Sequence, residues 1–254
     1  MSEYSALNTL WGSKVDIAIE RLGMFEPPEG YWLAFSGGKD SQTIYHLAQE
    51  AGVKFEAHFS VTTVDPPELL AFIKTHYPDV IWDRPEKSMF RLIVTYGLPT
   101  RLHRFCCKTL KECGGDGHLV LTGIRWAESA RRAKRPMTEN CYRGKYKTYL
   151  HPIIDWSDAD VWSYLGTRPH CELYDQGYKR IGCVMCPMKN KERLKDAERW
   201  PRIARMYRMA AERYWERKDW TGKVRPWQSA QEMYDWWLSE PEGREDEAQM
   251  VMFE

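Results

Sequence analysis

The chain has 254 residues, carries 37 Lys and Arg against 36 Asp and Glu, and is 43% hydrophobic. This length can bury a substantial core, and the net charge of +1 gives no global support for a nucleic-acid-coating protein. No apolar run approaches the length of a membrane-spanning helix, so we expect no transmembrane segment. The seven cysteines are odd in number and no signal peptide opens the chain, which favours free thiols in a cytoplasmic protein over a disulfide framework.

An amphipathic helix is predicted over 4–25, because apolar residues recur there at helical spacing. Packing against the rest of the chain is the default role of such a helix, and a contact in a homo-oligomer is the alternative. The apolar positions are Leu7, Leu10, Trp11, Val15, Ile19 and Leu22.

A predicted strand at 31–35 leads directly into the hexapeptide S-G-G-K-D-S, residues 36–41. Two adjacent glycines allow a tight turn, so that amide N–H groups can converge on an anion at a helix N-terminus. A helix is predicted over 40–51 from its apolar spacing and from Gly52, which follows it. The three elements together favour a phosphate cradle over an ordinary strand-to-helix turn with a chance lysine.

Alternating strand and helix patterns continue after this turn and predict a doubly wound, mostly parallel α/β sheet. Ligands of such sheets bind beyond the carboxyl ends of the strands. The loops at 36–40, 62–65 and 123–125 are therefore expected to converge on one nucleotide. The further predicted strands are 54–61, 80–82 and 118–124, and the further predicted helices are 66–77 and 88–96.

The segment 125–147 is strongly basic, with eight Lys or Arg against Glu128 and Glu139. Arginine offers bidentate donors to anions, so we expect an anion to approach this segment. A solvated basic face is the alternative for its lysines, which are Lys134, Lys145 and Lys147.

The C-terminal quarter is rich in Arg, Trp and Tyr, with thirteen basic residues against six acidic ones over 189–225, and an acidic tail follows at 240–247. Aromatic residues interleaved with arginine can bind nucleic acid, but they more often form the core of a helical subdomain. We expect a helical C-terminal extension whose apolar stripe packs inward. The stripe consists of Trp200, Ile203, Tyr207, Ala210 and Tyr214.

Four cysteines stand in two close pairs, Cys106 with Cys107 and Cys183 with Cys186. A C-x-x-C pair can be redox-active, can hold structural zinc or can ligate an iron–sulfur cluster. Spacing alone leaves these three possibilities open, although a C-C dipeptide is unusual for a zinc site.

The hexapeptide differs from the eight-residue P-loop of kinases and GTPases. It resembles the PP-loop of N-type ATP pyrophosphatases and of sulfonucleotide reductases, and this resemblance implies α–β cleavage of ATP or binding of an adenylylsulfate. It also implies an adenine nucleotide α-hydrolase-like fold. The stretches 104–111, 122–132, 151–162 and 173–183 extend the resemblance to the iron–sulfur branch of the phosphoadenosine phosphosulfate reductase family.

The resemblance implies roles for individual residues. Lys39, Asp40 and Arg125 are the expected catalytic residues, with Asp40 positioning Mg²⁺ and Lys39 stabilising the departing pyrophosphate of ATP. The expected nucleotide-binding residues are Ser36, Gly37, Gly38, Lys39, Asp40, Ser41, Gly123, Arg125, Glu128 and Arg132.

The same resemblance implies that Cys106, Cys107, Cys183 and Cys186 hold a four-iron four-sulfur cluster. Cys141 or Cys171 could replace one of these ligands, so three or four of the expected cysteines could bind.

Reductases of this family use a nucleophilic cysteine in a Glu-Cys-Gly-x-His motif near the carboxyl terminus. No cysteine follows Cys186 in the sequence, and the partial match at Cys113, with His118 beyond it, stands only six residues after the cysteine pair. Adenylation by ATP needs no covalent nucleophile. The favoured interpretation is therefore an ATP pyrophosphatase similar to the components of DNA phosphorothioation systems.

That interpretation implies a nucleic acid acceptor, with the DNA backbone as the first candidate, and a cysteine desulfurase as sulfur donor. The alternatives are a reductase that releases sulfite from adenylylsulfate or phosphoadenylylsulfate, and a non-catalytic nucleotide or redox sensor. The expected organisation is an N-terminal helix at 1–28, a PP-loop domain at 29–188 and a helical extension at 189–254.

Overall fold

The computed structural model describes residues 13–141, 146–189, 192–220 and 226–239. The described residues form two units. The first comprises the described residues up to Ser60 together with Glu68–Asp83 and Gly114–Ile181. The second comprises Val61–Pro67, Arg84–Cys113 and the described residues from Gly182 onward. The three consecutive segments expected from the sequence remain a prediction.

Six strands form one sheet in the first unit: β1 (Tyr31–Phe35), β2 (Phe55–Ser60), β3 (Ile81–Asp83), β4 (Leu119–Leu121), β5 (Thr138–Asn140) and β6 (Thr148–Leu150). Their spatial order is β3-β2-β1-β4-β6-β5, and every neighbouring pair is parallel except β5 with β6. The predicted mostly parallel α/β fold is confirmed.

Strand β1 is paired on both sides, with β2 and with β4. Its residues Tyr31, Leu33 and Phe35 are buried, as expected for a central strand of a covered parallel sheet. Phe35 ends the strand and is followed at once by the glycine turn. The sheet therefore fixes where the turn begins.

Nine helices of four or more residues lie in the described parts of the chain: α1 (Lys14–Met24), α2 (Lys39–Glu50), α3 (Pro67–His76), α4 (Met89–Tyr96), α5 (Phe105–Leu110), α6 (Asp158–Leu165), α7 (Glu192–Arg199), α8 (Pro201–Arg217) and α9 (Ala230–Ser239). None of the helices described is long and apolar enough to cross a membrane.

Helix α1 begins later than the predicted span, of which the described residues include only those from 13 onward. A capping box starts it: the Ser13 side chain accepts the Asp16 N–H, and the Asp16 carboxylate accepts the Ser13 N–H at 3.0 Å. Leu22 on its inner face is fully buried, which agrees with the packing role expected of this helix.

Aromatic side chains form the core of the second unit. Tyr207 of α8 packs edge-on against Phe90 of α4, with ring centroids 5.6 Å apart, and stacks on Trp237 of α9 at 5.2 Å. Tyr207 and Tyr214 are buried as the helical spacing predicted. The helical C-terminal region is confirmed.

The last three strands of the sheet differ from the predictions. Only Leu119–Leu121 of the stretch 118–124 is a strand, because the chain leaves the sheet after Leu121 to form the loop that carries Gly123. Strands β5 and β6 lie within the basic segment and were not predicted, since each has three residues and no run of apolar side chains.

Candidate functional site

The glycine turn after β1 depends on Gly37. Its φ of +69° lies in the left-handed region that glycine adopts readily. A Cβ atom at this position would stand 2.7 Å from Leu69 Cδ1 and 2.8 Å from Ile73 Cδ1, both on helix α3. Conformation and space therefore both require glycine here.

Hydroxyl groups hold the turn at the N-terminus of α2. The Ser36 N–H donates to Ser41 Oγ at 3.1 Å, and the Ser41 hydroxyl donates to the Gly38 carbonyl at 2.9 Å. The Lys39 N–H donates to the Tyr174 hydroxyl at 2.9 Å. The N-terminus of a helix carries a partial positive charge, so this turn is suited to an anion.

Two cations and two carboxylates meet beside the turn. Lys39 Nζ lies 3.3 Å from Asp40 Oδ2 and 3.2 Å from Asp158 Oδ1. The Arg125 guanidinium donates to Asp40 Oδ1 at 2.7 Å and to Asp158 Oδ1 at 2.5 Å. Its remaining amino group donates to the Trp156 carbonyl at 3.1 Å. Arg125 is only 1% exposed and Lys39 5%, so both charges are held inside the protein.

Neighbouring charges keep Arg125 and Asp158 charged. Burial opposes the charge on Arg125, but the neighbouring Asp40 and Asp158 outweigh it and raise the pKa of the guanidinium. Burial likewise opposes the charge on Asp158, and hydrogen bonding to Arg125 with the charge of Lys39 lowers its pKa overall. Arg125 and Asp158 are therefore both charged at neutral pH.

The loop after β4 packs directly on the start of α2. A Cβ atom at Gly123 would stand 2.8 Å from the Asp40 carbonyl, so glycine is needed for this approach. Glu128 accepts the Arg125 N–H at 3.0 Å and also pairs with Arg132. The predicted residues of the two loops are thus brought together.

These elements surround a polar cavity of about 180 Å³. Gly37 shapes the turn, and Arg125 contacts Asp40 from the protein interior. Tyr174 and Arg180 also line the cavity, although the sequence had not identified them. The predicted residues that line it are Ser36, Gly38, Lys39, Asp40, Ser41, Gly123, Glu128 and Arg132.

A larger cavity of about 510 Å³ lies in the second unit, between α4 and α8. Its walls are mostly apolar and include Phe90, Val94, Met206 and Met209. It has no glycine turn to present backbone amides to an anion. The smaller polar cavity is therefore the candidate site for a phosphate ligand.

The segment 125–147 was expected to meet an anion, and several of its basic side chains are paired within the first unit. Arg135 pairs with Glu139, and Lys147 lies 2.9 Å from Asp116. Arg125 and Arg132 contact the carboxylates described above. Of the basic residues of this segment, Arg125 and Arg132 belong to the predicted nucleotide-binding set.

The four predicted cysteine ligands interact with one another in the second unit. Hydrogen bonding to Cys107, burial, and the charges of Cys107, Cys183 and Cys186 all raise the pKa of Cys106. The hydrogen bond from Cys106 and the charge of Lys111 lower the pKa of Cys107 to about 6, although burial of the thiol opposes this shift. The sequence pairs are therefore neighbours in space.

The residues around Cys183 add charge and hydrogen bonds. The Cys183 thiol lies 3.5 Å from Thr62 Oγ1, and Thr62 in turn donates to Asp65 Oδ1 at 2.7 Å. The charges of Cys183 and Asp65 raise the pKa of Lys111. The loop 62–65, which was expected at the nucleotide, thus belongs to the second unit and contacts a cysteine there.

The C-x-x-C loop is held in a strained conformation. Met185 has a φ of +56°, which is rare for a residue other than glycine. Its N–H donates to the buried Asp196 at 2.7 Å, and Tyr207 donates to the Val184 carbonyl at 3.3 Å. Contacts from α7 and α8 therefore fix the loop between Cys183 and Cys186.

Four thiols are a ligand set typical of iron–sulfur clusters. No three His, Cys, Asp or Glu side chains within the described ranges surround a position for one metal ion. A four-iron cluster spreads its ligands over a larger body than one ion does. The donor chemistry of Cys106, Cys107, Cys183 and Cys186 fits such a cluster, and their role as ligands remains a prediction.

The partial motif around Cys113 has a packing explanation. Cβ atoms at Gly114 and Gly115 would stand 2.8 Å and 3.1 Å from the Trp32 side chain. His118 also contacts this ring, with centroids 5.7 Å apart. The glycines and the histidine of the motif therefore pack on a tryptophan of β1, and Cys113 is exposed.

Asp158 was not singled out from the sequence, although it contacts both buried cations. Residues Ser157 and Asp160 form a capping box at the start of α6, and this local pattern could have located the helix. The contact between Asp158 and Lys39 joins residues more than a hundred positions apart, which no local pattern reveals.

The family model of the phosphoadenosine phosphosulfate reductase domain matches residues 30–189. An uncharacterized protein of Methanocaldococcus jannaschii is 33% identical over 199 residues, which cover 69% of this chain and 41% of the relative. An adenosine 5'-phosphosulfate reductase of Neisseria meningitidis is 38% identical over 109 residues, which cover 38% of this chain and 43% of the relative. The chain thus spans less than half the length of these relatives.

A solved structure, the phosphoadenylyl-sulfate reductase of Candida auris, aligns with a TM-score of 0.50 and 20% identity. The alignment covers 73% of this chain and 97% of the other. At this identity the likeness concerns the fold, and it agrees with the parallel sheet described above.

Proposed function

The chain belongs to the phosphoadenosine phosphosulfate reductase domain family, and within this family we propose that it is an ATP pyrophosphatase that adenylates an acceptor for sulfur transfer. The observation that carries the proposal is the ionic cluster of Lys39, Asp40, Arg125 and Asp158 at the N-terminus of α2.

The carboxylates of this cluster favour ATP over a sulfonucleotide. Mg²⁺ is usually bound by one or two carboxylates together with the phosphates of a substrate. Asp40 borders the cavity, and the Asp158 side chain is 72% exposed and so accessible to an ion. A sulfonucleotide bound without a metal needs cations alone. Asp40 and Asp158 would hold Mg²⁺, which supplies neutralising charge on the phosphates when bound.

The proposed reaction breaks the bond between the α-phosphorus and the oxygen that bridges it to the β-phosphorus. An acceptor oxygen forms the new bond to the α-phosphorus, and pyrophosphate leaves with the bridging oxygen. Lys39 and the amides of the glycine turn stabilise the charge that develops on pyrophosphate. Arg125 keeps Asp40 in place by its hydrogen bond.

Sulfur then displaces AMP from the adenylated acceptor. A cysteine desulfurase partner would supply this sulfur as a persulfide, whose terminal sulfur bonds to the acceptor as AMP leaves. A thiol reductant then cleaves the resulting S–S bond and releases the thiolated acceptor. A nucleic acid, with the DNA backbone as the first candidate, would be the acceptor. The four neighbouring thiols of the second unit would hold the iron–sulfur cluster, which supplies electron transfer when bound. A cluster of this kind is consistent with a reducing cytoplasm.

Sulfonucleotide reduction is the second candidate, and the relatives named adenosine 5'-phosphosulfate reductase support it. In this reaction a thiolate attacks the sulfur of the sulfonucleotide and sulfite is later released. The nucleophile would be the exposed Cys113 or a thiol of another protein.

The proposal is tested with ATP labelled at the α-phosphate. We expect AMP or an adenylated acceptor together with pyrophosphate, and we expect Lys39→Ala to abolish this turnover. The matched control is Lys74→Ala, since Lys74 is an exposed lysine on α3. Formation of ADP and phosphate, or full turnover by Lys39→Ala, would contradict the proposal.

A further inference from the structure

A tyrosine from a distant part of the chain accepts a hydrogen bond from the first amide of helix α2. The Lys39 N–H donates to the Tyr174 hydroxyl at 2.9 Å, across 135 positions of sequence. Gly38, the N-cap residue, has no side chain that could take this role. Tyr174 therefore caps the helix at the point where the turn presents its amides to the cavity.

The ring of Tyr174 is held in place by aromatic neighbours. It packs edge-on against Trp162 of α6, with centroids 5.0 Å apart and planes at 89°. The ring centroid of His170 lies 6.2 Å from that of Tyr174. The hydroxyl is thus positioned by contacts that do not depend on a ligand.

The hydroxyl keeps a proton that it can donate. A tyrosine hydroxyl has one proton and can also accept, so accepting from Lys39 leaves the proton available. Burial of the ring raises the pKa of Tyr174, which keeps the hydroxyl protonated at physiological pH. The cavity that it lines also receives Arg180, whose guanidinium is a donor. An anionic oxygen is the partner that suits all of these groups.

We infer that Tyr174 binds phosphate in this site, accepting from the Lys39 amide and donating its own proton to an oxygen of the ligand. The inference rests on the proposed function, because it takes the polar cavity to be the site of a pyrophosphate group. Tyr174 thereby extends the positive end of α2 into the cavity. The ligand class is the di- or triphosphate of a nucleotide, with a deprotonated oxygen at the hydroxyl.

Calorimetric titration with inorganic pyrophosphate tests this role. Tyr174→Phe removes one oxygen atom and keeps the ring that packs on Trp162, so we expect the dissociation constant to rise about tenfold. The matched control is Tyr164→Phe, whose hydroxyl donates to Glu50 at 2.9 Å and does not line the cavity. We expect the control to bind pyrophosphate as the wild type does.

A second variant separates this inference from the proposed function. If Lys39→Ala loses pyrophosphate binding while Tyr174→Phe stays within twofold of the wild type, or binds more tightly, the role of Tyr174 is overturned and the anion site stands. If Lys39→Ala binds as well as the wild type, or the wild type does not bind, both are overturned. A purely structural role would lower the melting temperature of Tyr174→Phe without changing its affinity.

Discussion

Replacing Arg125 by Met tests the ionic cluster energetically. Met keeps much of the side-chain volume and removes the guanidinium that contacts Asp40, Asp158 and the Trp156 carbonyl. The substitution therefore removes the Arg125 donor of the buried Trp156 carbonyl and the shortest hydrogen bond to Asp40, which keeps its contact with Lys39. We expect a large loss of stability, because such acceptors lose water as well as their partner.

The expected loss of unfolding free energy depends on how exposed each acceptor of Arg125 is. The Trp156 carbonyl is buried, and losing its hydrogen bond costs about 1 kcal/mol. The Asp40 side chain is 25% exposed, so its lost charged hydrogen bond costs about 1.5 kcal/mol, the lower end of the usual range. The Asp158 side chain is 72% exposed and adds little. The expected decrease in the free energy of unfolding is about 2.5 kcal/mol.

Urea denaturation measures this difference. The control is Arg208→Met, because Arg208 pairs with Glu212 on the surface of α8, where both side chains are 48% exposed. We expect the control to lose less than about 1 kcal/mol. A loss of less than about 1 kcal/mol for Arg125→Met would refute the claim that the ionic cluster stabilises the protein interior.

The remaining predictions concern three other positions. Gly37→Ala should destabilise the protein by at least about 1 kcal/mol and weaken pyrophosphate binding, because the alanine Cβ would meet α3. Urea denaturation and calorimetry measure these two effects. Unchanged binding would contradict the assignment of the glycine turn as a phosphate site. Burial lowers the pKa of His151 to about 4, below its unfolded value of about 6.5. The neutral histidine therefore stabilises the folded protein fully above pH 6.5. As the pH drops to 4, the free energy of unfolding of the wild type should fall by about 3 kcal/mol relative to that of His151→Asn. A difference that does not vary over this range in pH-dependent unfolding would contradict the buried neutral histidine. Cys183→Ser should lower the iron content of anaerobically reconstituted protein, and iron at wild-type stoichiometry would exclude Cys183 as a ligand.

Local patterns in the sequence predicted the elements that build the site. The apolar run at 31–35 and the adjacent glycines located β1 and the turn, and the helical spacing located α2 within one residue at each end. These features are set by residues close in sequence, so periodicity and turn chemistry suffice to find them.

Contacts between distant residues could not be predicted in the same way. Asp158 and Tyr174 reach the start of α2 because β4, β6 and the segments after them return to the edge of the sheet where β1 ends. Likewise, the clamp of Asp196 on the Met185 amide depends on how α7 packs. The resemblance to a known family indicated the stretches that contain Asp158 and Tyr174, but it did not indicate their contacts.

The cavity beside Lys39 and Arg125 is proposed to serve α–β cleavage of ATP. The most direct measurement uses anaerobically purified protein and follows pyrophosphate release from ATP, with and without DNA or tRNA, beside sulfite release from adenylylsulfate and phosphoadenylylsulfate. We predict pyrophosphate release that a nucleic acid stimulates, and no sulfite. Sulfite release with no turnover of ATP would contradict this account and establish a sulfonucleotide reductase.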